Sequence, residues 1–195
     1  MVLNHVILSV LWVVFCALHS LLASIRVKKW AQKKNEKNYR YYRLFYTVFA
    51  ALSLAAVVYY QVSMDSVYLY QRSLVSNIGG GIVATLGISL MLVCIKKYFL
   101  SLSGIKSLYR EEEHTAELMI AGIHRYMRHP LYLGTFLFLW GLWLLFPTVS
   151  LLLANIVITG YTLYAIRLEE EKLVAEFGEQ YRRYQQQVPK LIPRF

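Results

Sequence analysis

Two short stretches hold most of the side chains able to do chemistry together. The first is Gly122-Ile123-His124-Arg125-Tyr126-Met127-Arg128-His129-Pro130-Leu131-Tyr132-Leu133-Gly134, which runs into an apolar segment. The second is Arg167-Leu168-Glu169-Glu170-Glu171-Lys172-Leu173, directly after the next apolar segment. Proline fits the first turn of a helix and pushes the residue before it out of helical geometry, so His129 is expected at a loop-to-helix junction. The first turn of such a helix presents unpaired N–H groups and the positive end of its dipole, which suits a carboxylate or a phosphate. Read without context, Arg128 and His129 are ordinary interfacial anchors.

In the second stretch, successive helical residues lie about 100° apart, so at most two of the three glutamates share a face and one is free to point inward. The bland reading is a solvated charged face with pairs such as Glu169 to Lys172. Taken together, a helix start and a carboxylate at the mouth of one hairpin would suit a small zwitterionic molecule.

These stretches are positioned by apolar runs. Leu3–Ile25, Leu44–Val62 and Leu74–Ile95 carry no acidic or basic residue, and Leu131–Phe146 and Val149–Ile166 are separated only by Pro147 and Thr148. A spanning helix takes about 20 apolar residues and must satisfy its own backbone. The expectation is an all-α polytopic membrane protein, a single integral membrane domain of about five transmembrane helices whose last two form a tight hairpin. Hydrophobic residues make up 57% of the chain and charged residues only 16%, with mean hydropathy +0.43, which is not the composition of a soluble domain.

Of 21 Lys and Arg residues, eight fall in 26–43, six in 96–130 and six in 167–195, leaving only Arg72 in the opposite loop. By the positive-inside rule the N-terminus lies outside and the C-terminus in the cytosol, in the inner membrane if the source is bacterial. The net charge of +10 then belongs to a membrane surface, and no nucleic-acid motif competes with that reading. Met1–His5 has no basic residue and the cationic cluster follows the first apolar run, so that run is expected to remain rather than be cleaved as a signal peptide. Cys16 and Cys94 fall inside spans as small apolar residues and imply no disulfide. Gly80, Ala84 and Gly87 form a small-residue stripe that lets another helix approach, within this chain or in a homodimer.

Over residues 98–195 the chain resembles the isoprenylcysteine carboxyl methyltransferase family and its relatives, the phospholipid N-methyltransferases and methanethiol S-methyltransferase-like membrane proteins. The resemblance rests on Gly122-Ile123, Arg128-His129-Pro130-Leu131-Tyr132, Glu169-Glu170, Phe177-Gly178, Tyr181, Tyr184 and Val188-Pro189-Lys190-Leu191-Ile192-Pro193, in the family's order and spacing. The N-terminal half is closer to the thiol methyltransferase-like branch, through His19-Ser20-Leu21-Leu22-Ala23-Ser24 and Tyr42-Arg43-Leu44-Phe45-Tyr46. The resemblance implies S-adenosylmethionine in a cytosolic pocket lidded by the C-terminal helices, with lateral access for a lipophilic acceptor. It assigns cofactor contacts to Leu118, Met119, His124, His129, Pro130, Leu131, Tyr132 and Glu169; the catalytic candidates are Glu170, as a base, and Arg167, which could stand in for a substrate-side arginine only if the helix is locally distorted. Two positions depart from the family pattern: His124 stands where an aromatic residue is usual, and Ala165 occupies the place of a substrate-side arginine, with Arg167 two residues later.

Methyl transfer chiefly requires alignment of acceptor, methyl and sulfur. A thiol must be deprotonated and an amine neutral, which makes Glu170, His124 and His19 candidate bases. The expected partners are membrane lipid and a lipophilic or small-molecule methyl acceptor: a thiol, an isoprenylcysteine carboxylate or a lipid amine. The competing class is a non-catalytic membrane scaffold or lipid-binding protein that keeps the fold.

Overall fold

A computed structural model describes residues 1–34, 39–102, 118 and 120–193. Among these the secondary structure is helical apart from one isolated bridge, Tyr68 to Thr148. The helices are α1 (Val2–Ala23), α2 (Ile25–Lys34), α3 (Tyr39–Ser63), α4 (Leu74–Leu102), α5 (Pro130–Leu145), α6 (Val149–Phe177) and α7 (Glu179–Gln187), with a 3₁₀ turn at Gly122–Arg125.

Four segments are long and apolar enough to cross a membrane: Val2–Ala23, Leu44–Ser63, Leu74–Lys96 and Val149–Phe177. The fifth apolar run forms α5, whose 16 residues reach about 24 Å against a hydrocarbon core of about 30 Å. Large apolar side chains such as Leu3, Val10, Leu52, Val75, Leu86 and Ile156 are exposed along these helices. That is the reverse of a water-soluble chain and the expected surface of one dissolved in lipid. The polytopic all-α membrane architecture expected from the apolar runs is therefore the one found.

The described residues group into two compact units. One contains 1–34, 39–69, 98–102 and 148–158. Here α1 packs on α3, and Leu8, Trp12, Val57 and Ala154 form the core. The Trp12 indole N–H donates to Gln61 Oε1 at 2.8 Å, so neither polar group is left bare within the helix pair. His19, a candidate base in the sequence, lies against the Tyr46 hydroxyl at 3.1 Å across the same pair. The first two N–H groups of α6 are satisfied from the loop after α3. Val149 donates to the Val67 carbonyl at 3.0 Å and Ser150 to Ser66 Oγ at 2.9 Å.

The other unit contains 70–97, 118, 120–147 and 159–193. The small-residue stripe of α4 finds its partner within the chain, on α5. A Cβ added at Gly87 would sit 2.4 Å from the Phe138 nitrogen, and one at Gly141 would sit 2.4 Å from the Ala84 nitrogen. Glycine is required there because the two backbones touch. From α5 the Trp140 indole donates to Thr159 Oγ1 of α6 at 3.2 Å, as the hairpin reading expects.

Candidate active site at the start of α5

The α5 helix begins as its sequence dictates: Pro130 occupies the first turn and His129 is the N-cap, with φ −123° and ψ 63°. Four residues earlier the chain makes the 3₁₀ turn, entered through Gly122 at φ +68°. The His124 Nδ1–H donates to the Arg128 carbonyl at 3.2 Å, closing the short loop between turn and helix.

Arg128 and His129 are paired on both backbone and side chain with residues far along the chain. The Arg128 N–H donates to the Pro189 carbonyl at 2.9 Å and the His129 N–H to the Lys190 carbonyl at 3.0 Å. The Arg128 guanidinium donates from Nε to Glu170 Oε1 at 2.7 Å and from Nη1 to the carbonyls of Gln185 (2.8 Å) and Val188. Its side chain is 8% exposed. Most of its donors are therefore spent inside the protein, and the fork serves the end of α7 rather than an incoming anion.

Glu170 receives the remaining charges. Its Oε1 also accepts from His129 Nε2 at 3.1 Å, and its Oε2 lies 3.0 Å from Lys190 Nζ. Two permanent cations and an imidazole N–H thus converge on one carboxylate that is 10% exposed, and each favours its ionised form. This is the glutamate of the triplet that points inward. Its neighbour Glu169 is 44% exposed, accepts from the Tyr132 hydroxyl at 3.0 Å and stands 3.9 Å from His129 Nδ1. The third, Glu171, pairs on the exterior with Arg167 at 3.0 Å.

The wall behind this cluster is apolar. Gly178, at φ +55°, separates α6 from α7, and α7 lays Tyr181, Tyr184 and Val188 against Leu118, Leu173, Val174 and Phe177. Burial, and then the negative charge of Glu170, push the Tyr181 phenol above its ordinary range, so it stays protonated. The Tyr184 hydroxyl donates to the His124 carbonyl at 2.6 Å and ties α7 to the 3₁₀ turn.

Of the residues singled out from the sequence, His124, His129, Pro130, Tyr132, Glu169 and Glu170 gather at one end of the α5–α6 pair. Leu131 lies in the first turn of α5 with its carbonyl accepting from Thr135 Oγ1, and Leu118 packs on α7. Arg167 stands apart, its side chain 76% exposed. Met119 lies outside the described residues, as does His114. Lys190 was not among the chosen residues, although the Val188-Pro189-Lys190 run that carries it was a family mark.

Comparison with known proteins identifies the family. The family model described as phospholipid methyltransferase matches residues 80–180, which include α5, α6 and both glutamates. Methanethiol S-methyltransferase of Crocosphaera subtropica is 31% identical over 189 residues, 92% of this chain and 71% of that protein. Methanethiol S-methyltransferase 2 of Bradyrhizobium diazoefficiens is 40% identical over 37% of this chain and 27% of its own length. Protein-S-isoprenylcysteine O-methyltransferase of Schizosaccharomyces pombe is 37% identical over 48% of this chain and 39% of its own length. No solved structure matches. With the family model covering more than half of the chain and a relative aligned along nearly all of it, this protein belongs to the phospholipid methyltransferase family of membrane methyltransferases.

Proposed function

We propose that the chain transfers the methyl group of S-adenosylmethionine to a small or lipophilic acceptor, a thiol first among them, at the end of the α5–α6 pair. The reading rests on one observation: Glu169 and Glu170 are adjacent in sequence but divided in role. Glu170 is consumed by Arg128, His129 and Lys190, while Glu169 keeps an exposed carboxylate beside Tyr132 and the start of α5. That pairing of an open carboxylate with a helix N-terminus fits a ligand carrying both an ammonium and a carboxylate.

In this reading Glu169 takes the ammonium, and the positive end of α5 at Leu131 takes the carboxylate. His124, Pro130 and Leu118 complete the pocket, and the family resemblance adds Met119, which lies outside the described residues. The bound cofactor supplies an electrophilic methyl on a sulfonium. The chain's part is to hold it in line with the acceptor and to keep water away. Glu170 keeps the His129 ring oriented through its Nε2–H, which makes it a positioning residue. Arg167, on the exterior, remains for an acceptor that carries a carboxylate, and a thiol acceptor would make no use of it.

The length of the match to the Crocosphaera protein favours a thiol over a lipid amine as the acceptor. The Lys and Arg distribution supports an N-terminus outside and a C-terminus in the cytosol, in the inner membrane if bacterial. Calorimetry of S-adenosylmethionine binding by the detergent-purified chain, beside Glu169→Ala and Leu131→Pro, tests the reading. Micromolar binding weakened by both substitutions supports it, and absence of binding to folded wild type overturns it.

A further inference from the structure

The polar residues after α1 were legible as a basic loop, yet they form a helix whose exposed face has a specific composition. Ser24 joins α1 to α2 without a loop. Its N–H donates to the Leu21 carbonyl at 3.1 Å, and its own carbonyl accepts from the Lys28 N–H at 3.1 Å. The chain therefore turns at the end of an apolar span and continues at once as helix. α2 contacts both α1 and α3, and the apolar part of α3 starts only at Leu44. A helix with these neighbours lies at the level where apolar spans meet water.

On α2, Arg26, Lys29, Trp30, Lys33 and Lys34 occupy positions i, i+3, i+4, i+7 and i+8, and all are exposed. That spacing is the single stripe along which a helix usually carries its apolar residues. Here it carries four cations and one indole, and the half-buried side is left to Val27, Lys28 and Ala31. Lys34 Nζ lies 5.0 Å from the centroid of the Trp30 ring, so the indole and a cation occupy one patch. Among the described residues no carboxylate pairs with these four cations. Over residues 26–43, eight Lys and Arg face one acid, Glu36.

We propose that the exposed face of α2 is a binding site for anionic phospholipid headgroups, with Arg26, Lys29, Lys33 and Lys34 taking phosphates and Trp30 seated at the headgroup level. Charge complementarity names the ligand: four exposed cations in one stripe at the membrane boundary, which meet no carboxylate among the described residues, face a surface rich in phosphate. The indole is amphipathic and favours the same depth. The site shares no residue with the candidate active site and does not depend on the methyltransferase reading.

The full chain, reconstituted in nanodiscs of phosphatidylcholine alone or mixed with phosphatidylglycerol and then released into detergent, is examined by native mass spectrometry for retained lipid. Wild type is expected to retain phosphatidylglycerol over phosphatidylcholine. The preference should weaken with salt and fall by up to about five-fold per cation removed in a combined R26Q/K29Q/K33Q/K34Q variant. A charge-preserving R26K/K29R/K33R/K34R variant should keep it, which separates loss of charge from loss of fold. S-adenosylmethionine binding serves as a second readout that the neutral variant should leave unchanged. Equal retention of both lipids by wild type, an undiminished preference in the neutral variant, or displacement of phosphatidylglycerol by an RNA oligonucleotide would each overturn the assignment.

Discussion

The Arg128 guanidinium and the Glu170 carboxylate meet at 2.7 Å with side chains 8% and 10% exposed, on residues 42 positions apart. Removing one partner of such a pair leaves a buried charge uncompensated, at a cost of about 3–5 kcal/mol. Arg128→Met is expected to destabilise the chain by that order. Combined with Glu170→Leu it should cost less than the sum of the two single substitutions. Thermal unfolding in detergent, followed by circular dichroism, checks both statements, and additive effects would show that the pair is not coupled.

Lys190 contacts the same carboxylate at 3.0 Å but is 45% exposed, so water screens it. Lys190→Met should cost no more than about 1 kcal/mol in the same measurement. A loss as large as that of Arg128→Met would mean that the half-exposed cation, not the buried one, holds Glu170.

Glu169 and Glu170 should separate cleanly under substitution. Glu169→Gln is expected to leave the melting temperature unchanged and to weaken S-adenosylmethionine binding about ten-fold, worth about 1.4 kcal/mol. Glu170→Gln is expected to lower the melting temperature. Parallel melting curves and calorimetry on the two variants check this, and the reverse pattern would exchange the two roles.

Glycine positions provide an internal control for the α4–α5 contact. Gly87→Ala and Gly141→Ala drive a Cβ to 2.4 Å from backbone nitrogen and should abolish or strongly reduce folded yield. At Gly79 nothing lies within 4 Å of an added Cβ. Gly79→Ala should therefore be neutral or stabilise the helix by about 0.5–1 kcal/mol. Size-exclusion profiles of the three purified variants read the difference.

The Tyr184 hydroxyl at 2.6 Å from the His124 carbonyl gives a narrower test. Tyr184→Phe should cost about 1 kcal/mol and raise hydrogen exchange at residues 122–126 while leaving the rest of α7 protected. Unchanged exchange there would mean that the 3₁₀ turn stands without α7.

The spans were legible because uncharged runs of this length have few alternatives to helix, and Pro130 marked the start of α5 because its ring fits only a first turn. The further course of the helices was less so. The apolar run of α6 stops at Ile166, but the helix continues to Phe177 through Arg167, Glu169, Glu170 and Glu171, where polarity hides the continuation. Likewise α2 carries its cations along the stripe that usually reveals a helix by its apolar residues, so it read as a loop. At the site, geometry alone allowed one glutamate to turn inward without saying which. What selects Glu170 is its set of partners, Arg128 first among them, and Arg128 is itself held in place by the Gln185 and Val188 carbonyls. Backbone carbonyls leave no trace in side-chain type, and Lys190 looked like any other surface lysine.

The bond from Arg128 to the Val188 carbonyl spans 60 positions. At a translation rate of about 5–20 residues per second, the ribosome delivers that carbonyl several seconds after Arg128. During that interval the Arg128 fork has no carbonyls from α7 to grip. Closure of the site is thus among the last events of the chain's synthesis, and chains truncated before Gln185 should lack the contacts that fix Arg128 and unfold at a lower temperature than the full chain.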